Sequence, residues 1–361
     1  MTESKSHCFP AVSIVLPVKN GAQYIGEAID SLLNQTFSDF ELIVVNDGST
    51  DKTVEVVKNY ADPRISIVSQ ANQGVSKAAN RGFALARGKY ITRHDHDDMS
   101  LPTRLEKQVQ FLDAHPECGM VGSWAKIWVG SSPSEREHRH PTQPSEIAFA
   151  LLFNAPFVNA SCLFRREVLD WSKGYTEDVQ RTPPEDYEFF SRISSKFELA
   201  NIPEYLMIYR EVPNSESSVI RSDQSLKKEQ YVSHLALFSA ENIARTIGDL
   251  GSTSALGKDA NNFGCLVHSY FQGIEKPLDL IVLINMLHQA GEAISIRFHD
   301  PAVMKAVNYH QLFLEYQYHT YMGNTYHWSR LKYLFINRHF LDNFGSIGRL
   351  LKRSLSSTTS S

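Results

Sequence analysis

The residues best suited to chemistry are three carboxylates set close together, Asp95, Asp97 and Asp98, with His94 and His96 beside them. They follow a short β-forming run, in which Tyr90 and Ile91 favour a strand and Gly88 marks the turn that feeds it. After them, Ser100 can cap a helix and Pro102 suits its first turn. Leu105, Val109 and Leu112 then recur at i, i+4 and i+7, one apolar face of that helix. The aspartates are therefore expected at the C-terminal end of a buried strand, where the ligand crevice of an open α/β sheet lies. Like charges this close repel one another unless a divalent cation neutralises them. Hard oxygen ligands suit Mg²⁺ or Mn²⁺, and either ion would in turn hold phosphates. A solvated acidic turn is the plain alternative for a lone Asp-X-Asp, so the surrounding elements must decide.

Those elements alternate. Ala11 to Leu16 reads as a buried strand stopped by Pro17, and Ala22 to Leu33 as a helix with Ile25, Ala28, Ile29, Leu32 and Leu33 on one face. Glu41 to Val45 is a second strand, followed by a helix that Ser49 or Thr50 can cap. Arg64 to Val68 is a third strand, and Val75 to about Ala86 a further helix. Strand and helix in this order call for a mostly parallel sheet with helical crossovers. Asp47, beside Gly48, ends the second strand, where a carboxylate can accept from a base N–H or a sugar hydroxyl. It can equally be an Asx-turn residue that orders its loop. No G-x-G-x-x-G and no Walker A lysine loop follows the first strand, which disfavours dinucleotide and P-loop phosphate binding.

Further on, Gly119 to Val129 reads as a strand pair carrying Trp124 and Trp128. Gly130 to Pro144 is polar and reads as a flexible loop; its His138 and His140 can bind metal, but exposure explains them more simply. A helix over Ser145 to Phe153 and a strand over Ala160 to Phe164 follow. In Thr182-Pro-Pro-Glu-Asp, Pro184 opens a helix with Glu185 and Asp186 in its first turn, where negative charge is favourable. A carboxylate held there beside a cleft is also a natural general base. Phe197 to Ile202 and Tyr205 to Tyr209 read as two short strands. Past Ser222 the pattern turns helical, over Ser225 to Ile247, Pro277 to Ile294 and Pro301 to His319. From Trp328 the chain is basic and aromatic, and suits either an anionic membrane surface or a helix pair with a solvated basic face.

Composition bounds the rest. The chain has 361 residues, 42% of them hydrophobic and 21% charged, enough for a full globular core. A formal charge of −4 gives no case for nucleic-acid binding. Cys8, Cys118, Cys162 and Cys265 have no disulfide-like or CxxC spacing, so a reduced compartment is the default. No secretory signal opens the chain, and no run approaches the roughly 20 apolar residues of a membrane span. The expectation is a cytoplasmic protein, with peripheral contact at the inner face of the membrane through the basic C-terminal segment.

Together these stretches resemble the family-2 glycosyltransferases, inverting enzymes of the GT-A fold. The likeness is carried over about residues 11 to 215 by Ser13-Ile-Val-Leu-Pro-Val-Lys-Asn-Gly21, Val45-Asn-Asp-Gly-Ser-Thr-Asp51, Asn72-Gln-Gly-Val-Ser76 and Ala79-Asn80-Arg-Gly82. It continues through Ala86-Arg-Gly-Lys-Tyr-Ile91, Asp95-His-Asp-Asp98, Leu101-Pro-Thr-Arg-Leu105, Phe164-Arg-Arg166 and Pro184-Glu-Asp-Tyr-Glu188. The resemblance implies nucleotide-sugar contacts at Pro17, Lys19, Asp47, Asn80 and Asp95, with Asp47 at the base. It implies metal contact, by Mn²⁺ or Mg²⁺, at Asp97 and Asp95. Asp186 falls on the family's base, with Glu185 its neighbour. The implied donor is a nucleotide sugar, first of all a UDP-sugar, and the acceptor a saccharide or lipid-linked saccharide of surface polysaccharide or glycolipid assembly.

Three positions depart from the family's pattern. Lys19 stands where an aromatic is usual, Asn159 where many members have His, and Val212 where a His follows the Tyr-Arg pair. The last removes a third protein ligand for the metal, a place His94 or His96 could fill. The expected organisation is a tail over 1–10, a GT-A domain over 11–222, a helical extension over 223–353 and a disordered tail over 354–361. Two other readings compete. A nucleotidyltransferase would need a Gly-rich basic loop after the first strand, which Pro17-Val-Lys-Asn-Gly21 does not supply. A non-catalytic nucleotide-sugar or glycan binding protein would have had no reason to keep Asp95, Asp97 and Asp186 together.

Overall fold

The computed structural model describes residues 9–213, 226–248 and 257–323. The chain divides into two compact units: Met1–His138, Phe157–Glu177 and Arg192–Ser215 make the first, and Arg139–Pro156, Asp178–Ser191 and Glu216–Ser361 the second. The basic aromatic segment from Trp328, the tail from Ser354 and nearly all of the N-terminal tail lie outside the described residues.

The first unit is built on β1 (Val12–Val18), β2 (Phe40–Asp47), β3 (Ile65–Gln70) and β4 (Tyr90–Arg93), paired in parallel in the order β3-β2-β1-β4. Helices α1 (Ile25–Leu33), α2 (Thr53–Lys58) and α3 (Val75–Leu85) form the crossovers. Every residue of β1 and β2 is buried, as apolar runs in a sheet covered on both faces should be. The α1 face Ile25, Ala28, Ile29 and Leu32 joins their core, as do Leu105, Val109 and Leu112 of α4 (Arg104–Ala114). Pro17 does not stop β1. Val15 is the last β1 residue opposite β4, so the proline ring falls where that neighbour has already left the ladder.

Beyond β4 the sheet turns mixed, continuing through β8 (Leu163–Arg165), β6 (Cys118–Val129), β9 (Glu198–Glu211) and the two-residue β5 (Met99–Ser100). Several expectations are corrected here. Ser100 caps no helix; it pairs with β9 opposite Met207. Gly119 to Val129 belongs to one long strand, and the supposed loop after it contains β7 (Ser132–His138), a hairpin partner of β6. The two strands read over Phe197 to Ile202 and Tyr205 to Tyr209 are likewise one, Glu198–Glu211, bulged at Pro203 and Glu204, which the register skips between Ile202 and Tyr205. Residues Asn159–Ser161 form a 3₁₀ turn before β8. Neither Ser49 nor Thr50 caps α2; Asp51 accepts from the Thr53 N–H at 3.0 Å instead.

Close approach of α3 to β1 rests on Gly82, where a Cβ would lie 2.2 Å from Val15 Cγ1. Val15 is fully buried and its β-branched side chain is stiff at χ1, which leaves it little room to retreat. Gly82→Ala is expected to destabilise the protein by about 1–3 kcal/mol, the usual overpacking cost, read as a lower urea midpoint at unchanged slope.

The second unit is helical. Its core gathers Phe149, Leu152 and Phe153 at and just beyond α5 (Pro144–Ala150) with apolar faces of Leu226–Ile247, Lys258–Val267, Leu280–Phe298 and Val303–Tyr321. Lys258–Val267 was not legible in the sequence. It packs tightly on Leu226–Ile247, because a Cβ at Gly264 would meet the Ala236 carbonyl oxygen at 2.0 Å. Among the described residues no helix is long and apolar enough to cross a membrane.

Candidate functional site

In the first unit, Pro17, Asp47 and the segment after β4 lie at the C-terminal edge of the parallel strands. Val18 stands opposite Asn46, and β4 ends at Arg93 opposite Val15. The loops there are tied together. Asn20, at φ 53°, accepts from the Thr50 N–H at 2.8 Å, and the Gly21 N–H donates to Thr53 Oγ1 at 2.8 Å. Pro17 is buried inside this frame, and Lys19 is exposed at its rim.

Asp47 is 4% exposed and accepts from the Gln73 N–H (2.8 Å), the Gly74 N–H (2.9 Å) and Gln70 Nε2 (2.9 Å). It therefore orders the loop before α3, using three of a carboxylate's roughly four acceptor positions. Asn80 is similarly engaged, accepting from the Tyr175 N–H and donating to the Tyr175 carbonyl, both at 2.9 Å, and to Glu177 at 3.0 Å. It also lines a polar cavity of about 370 Å³ with Gln70, Gln73, Lys77, Arg81 and Glu177.

Asp95 and Asp97 have different surroundings. The Arg93 guanidinium grips Asp95 through Nε at 3.0 Å and Nη2 at 2.8 Å. Burial pushes the Asp97 carboxyl above the usual range; the Asp95 charge adds to this and His96 opposes it. Asp98 is 1% exposed and raised well above the ordinary value by burial and then by Asp97 and Asp95. Its Oδ1 accepts from the Arg210 N–H at 2.8 Å, while Oδ2 has no partner among the described residues. His94 is buried, with both ring nitrogens engaged. Burial, with Arg104 nearby, lowers it to about 3, and its ring nitrogens meet the Asp95 carbonyl (2.8 Å) and Ser100 Oγ (3.0 Å).

Among the described residues no three His, Cys, Asp or Glu side chains converge as a closed metal cage. Asp95 and Asp97 fit a more open arrangement. Two hard, mutually repelling carboxylates suit Mg²⁺ or Mn²⁺ bound by one or two protein oxygens, with phosphate oxygens and water completing the shell.

Glu185 and Asp186 belong to the second unit, at the start of α6 (Glu185–Ile193). Glu185 is buried and Asp186 half-buried, its Oδ1 accepting from the Tyr187 N–H at 2.7 Å. The helix start is anchored by Tyr187, whose hydroxyl donates to the Leu151 carbonyl at 2.8 Å, and the last turn is held by Asn242, which donates to Ser191 Oγ at 2.9 Å. His234 meets the Pro183 carbonyl at 2.9 Å, and Arg181 forks onto Glu241 at 2.7 and 2.8 Å. Pro17, Lys19, Asp47, Asn80, Asp95 and Asp97 thus share one unit, and the proposed base helix starts in the other. Arg210 and the Tyr187 anchor escaped the sequence reading.

The glycosyl transferase family 2 model matches residues 13–171. An uncharacterized glycosyltransferase of Haemophilus influenzae is 34% identical over 242 residues, covering 60% of this chain and 70% of the relative. The chain belongs to glycosyltransferase family 2. This glycosyltransferase is also 32% identical over 249 residues to EpsJ of Bacillus subtilis, across 65% of the chain and 72% of the relative. Its fold is that of S. aureus TarS 1-349 in complex with UDP-GlcNAc, with a TM-score of 0.56 at 19% identity, over 87% of this chain and 88% of that one. The GT-A architecture expected from the motifs is therefore present, with helices following it.

Proposed function

We propose that this glycosyltransferase moves a sugar from a nucleoside diphosphate donor to an acceptor hydroxyl in a single displacement with inversion. The observation that carries the reading is the pairing of Asp95 with a desolvated Asp97 at the sheet edge that also holds Asp47 and the polar cavity. Asp97 and Asp95 would hold Mn²⁺ or Mg²⁺, which when bound supplies positive charge to the departing diphosphate. Asp47, Asn80, Pro17 and Lys19 would frame the nucleotide. Asp186, beside Glu185, takes the acceptor's proton. As the acceptor oxygen bonds to the anomeric carbon, the bond to the diphosphate breaks and its electron pair leaves with the nucleotide. One base on the face opposite the leaving group suffices, so no covalent sugar–enzyme intermediate is needed.

The acceptor is proposed to be a saccharide or a lipid-linked saccharide handled on the cytoplasmic side, as the family resemblance implies. A UDP-sugar heads the donor candidates, since the fold-mate TarS has been crystallised with UDP-GlcNAc. The test is nucleoside diphosphate release from UDP-, GDP- and dTDP-sugars with Mn²⁺ or Mg²⁺, then with EDTA. Release from one donor, abolished by EDTA, is expected. Folded protein that neither binds nor hydrolyses any of them would overturn the proposal in favour of a non-catalytic glycan-binding protein.

A further inference from the structure

We infer that Arg210 is a positioning residue, holding the Asp95–Asp98 segment in the geometry that receives metal and diphosphate. The inference rests on the reading of Asp95 and Asp97 given above. Arg210 lies near the end of β9, and its side chain is fully buried. Its donors reach three separate elements. Nε donates to the Asp97 carbonyl at 2.7 Å, Nη1 to the Gly130 carbonyl in the β6–β7 turn at 2.8 Å, and Nη2 to Glu27 of α1 at 2.7 Å. Its own N–H donates to Asp98 Oδ1 at 2.8 Å. The guanidinium lies 4.6 Å from the Tyr24 ring centroid and 5.8 Å from that of Trp128, which restricts how it can turn.

These bonds meet the segment where it is otherwise free of the sheet. The His94 N–H is bonded to the Val15 carbonyl at 2.8 Å, and Met99 pairs with Ile208 of β9. Between those two anchors the chain must turn while carrying like charges that repel. The guanidinium fixes the peptide of Asp97, beside the Asp98 side chain that the Arg210 backbone N–H holds, and so sets the direction in which the Asp97 carboxylate points. A buried arginine adds little net stability compared with an apolar side chain of its size. Its planar fork supplies angular definition that a lysine ammonium does not.

The test compares wild type with Arg210→Lys, Arg210→Met and Glu27→Gln, measuring Mn²⁺ affinity by electron paramagnetic resonance in the absence and presence of UDP. Thermal melts and steady-state kinetics on the donor found in the release panel accompany it. Arg210→Lys is expected to fold, to bind Mn²⁺ with UDP about 10- to 100-fold more weakly and to lose turnover in step, as loss of an outer-shell partner does. Its manganese spectrum should change shape, which a purely structural role would not cause. Glu27→Gln, at an exposed partner, should weaken Mn²⁺ binding less but in the same direction. That variant decides the matter if both Arg210 variants fail to fold. Wild-type Mn²⁺ affinity and turnover in folded Arg210→Lys, or in Glu27→Gln where it must decide, would overturn the inference. Asp97→Ala is the control. If it abolishes Mn²⁺ binding while folded Arg210→Lys binds as tightly as wild type, the positioning role alone fails; if Asp97→Ala too binds normally, the reading of the metal site falls and this inference with it.

Discussion

Asp97→Ala should cut metal-dependent nucleoside diphosphate release by at least about 100-fold while leaving the metal-free protein as stable as wild type or more so. The two effects share one cause. Burial, with Asp95 close by, raises the Asp97 carboxyl above its ordinary range. A group raised in the folded state binds more protons there than in the unfolded chain. Its contribution therefore favours folding as pH falls through the raised range and opposes folding at neutral pH. Removing the carboxylate relieves that cost, which a bound cation would otherwise offset. The checks are calorimetric melts of both proteins with EDTA and with Mn²⁺, from neutral pH downward. In EDTA any stability advantage of Asp97→Ala over wild type should be largest at neutral pH and shrink as the pH falls. Mn²⁺ at neutral pH should stabilise wild type more than the variant. A variant that melts well below wild type in EDTA would mean that Asp97 is held as a structural group.

The parallel half of the sheet was legible because its signals are local. Val12 to Leu16 and Leu42 to Val45 are apolar runs too dense for anything but buried strands, and the α1 and α4 faces repeat at helical spacing. What was missed depends on distant partners. β7 reads Ser-Pro-Ser-Glu-Arg-Glu-His and has no apolar alternation; it is a strand because β6 supplies the ladder and Glu211 pairs with Arg136 at 2.6 Å. The two short strands read on either side of Pro203 are one, because a bulge absorbs the proline. The same holds in the site. Asp95 and Asp97 announce themselves by crowding, whereas Arg210 lies 113 residues from the Asp97 carbonyl that it holds. Composition alone does not say which arginine is buried. Arg104 is fully buried too, with Nη1 on the Ala160 carbonyl at 2.8 Å and burial lowering it to about 10.

Asp186→Asn should keep donor and Mn²⁺ affinity but lower transfer to an acceptor by about 10²- to 10⁴-fold, the usual worth of a general base. The substitution is nearly silent for the fold. Asp186 accepts from the Tyr187 N–H through Oδ1, and an asparagine oxygen can accept the same bond. Tyr187 on the Leu151 carbonyl holds the helix start, and Asn242 on Ser191 its last turn, whichever residue stands at 186. Only the charge changes, and with it the ability to take a proton. The loss should therefore fall on turnover with little change in KM for the donor, and the acidic limb of the pH–rate profile should disappear. Glu185→Gln is the companion variant, because Glu185 is the more buried of the two and has the same chemistry. If Glu185→Gln loses transfer and Asp186→Asn keeps it, the base is Glu185 and Asp186 serves the helix start. If both keep it, proton removal is not assigned to this helix, and the resemblance at Pro184-Glu-Asp-Tyr-Glu188 is one of folding alone.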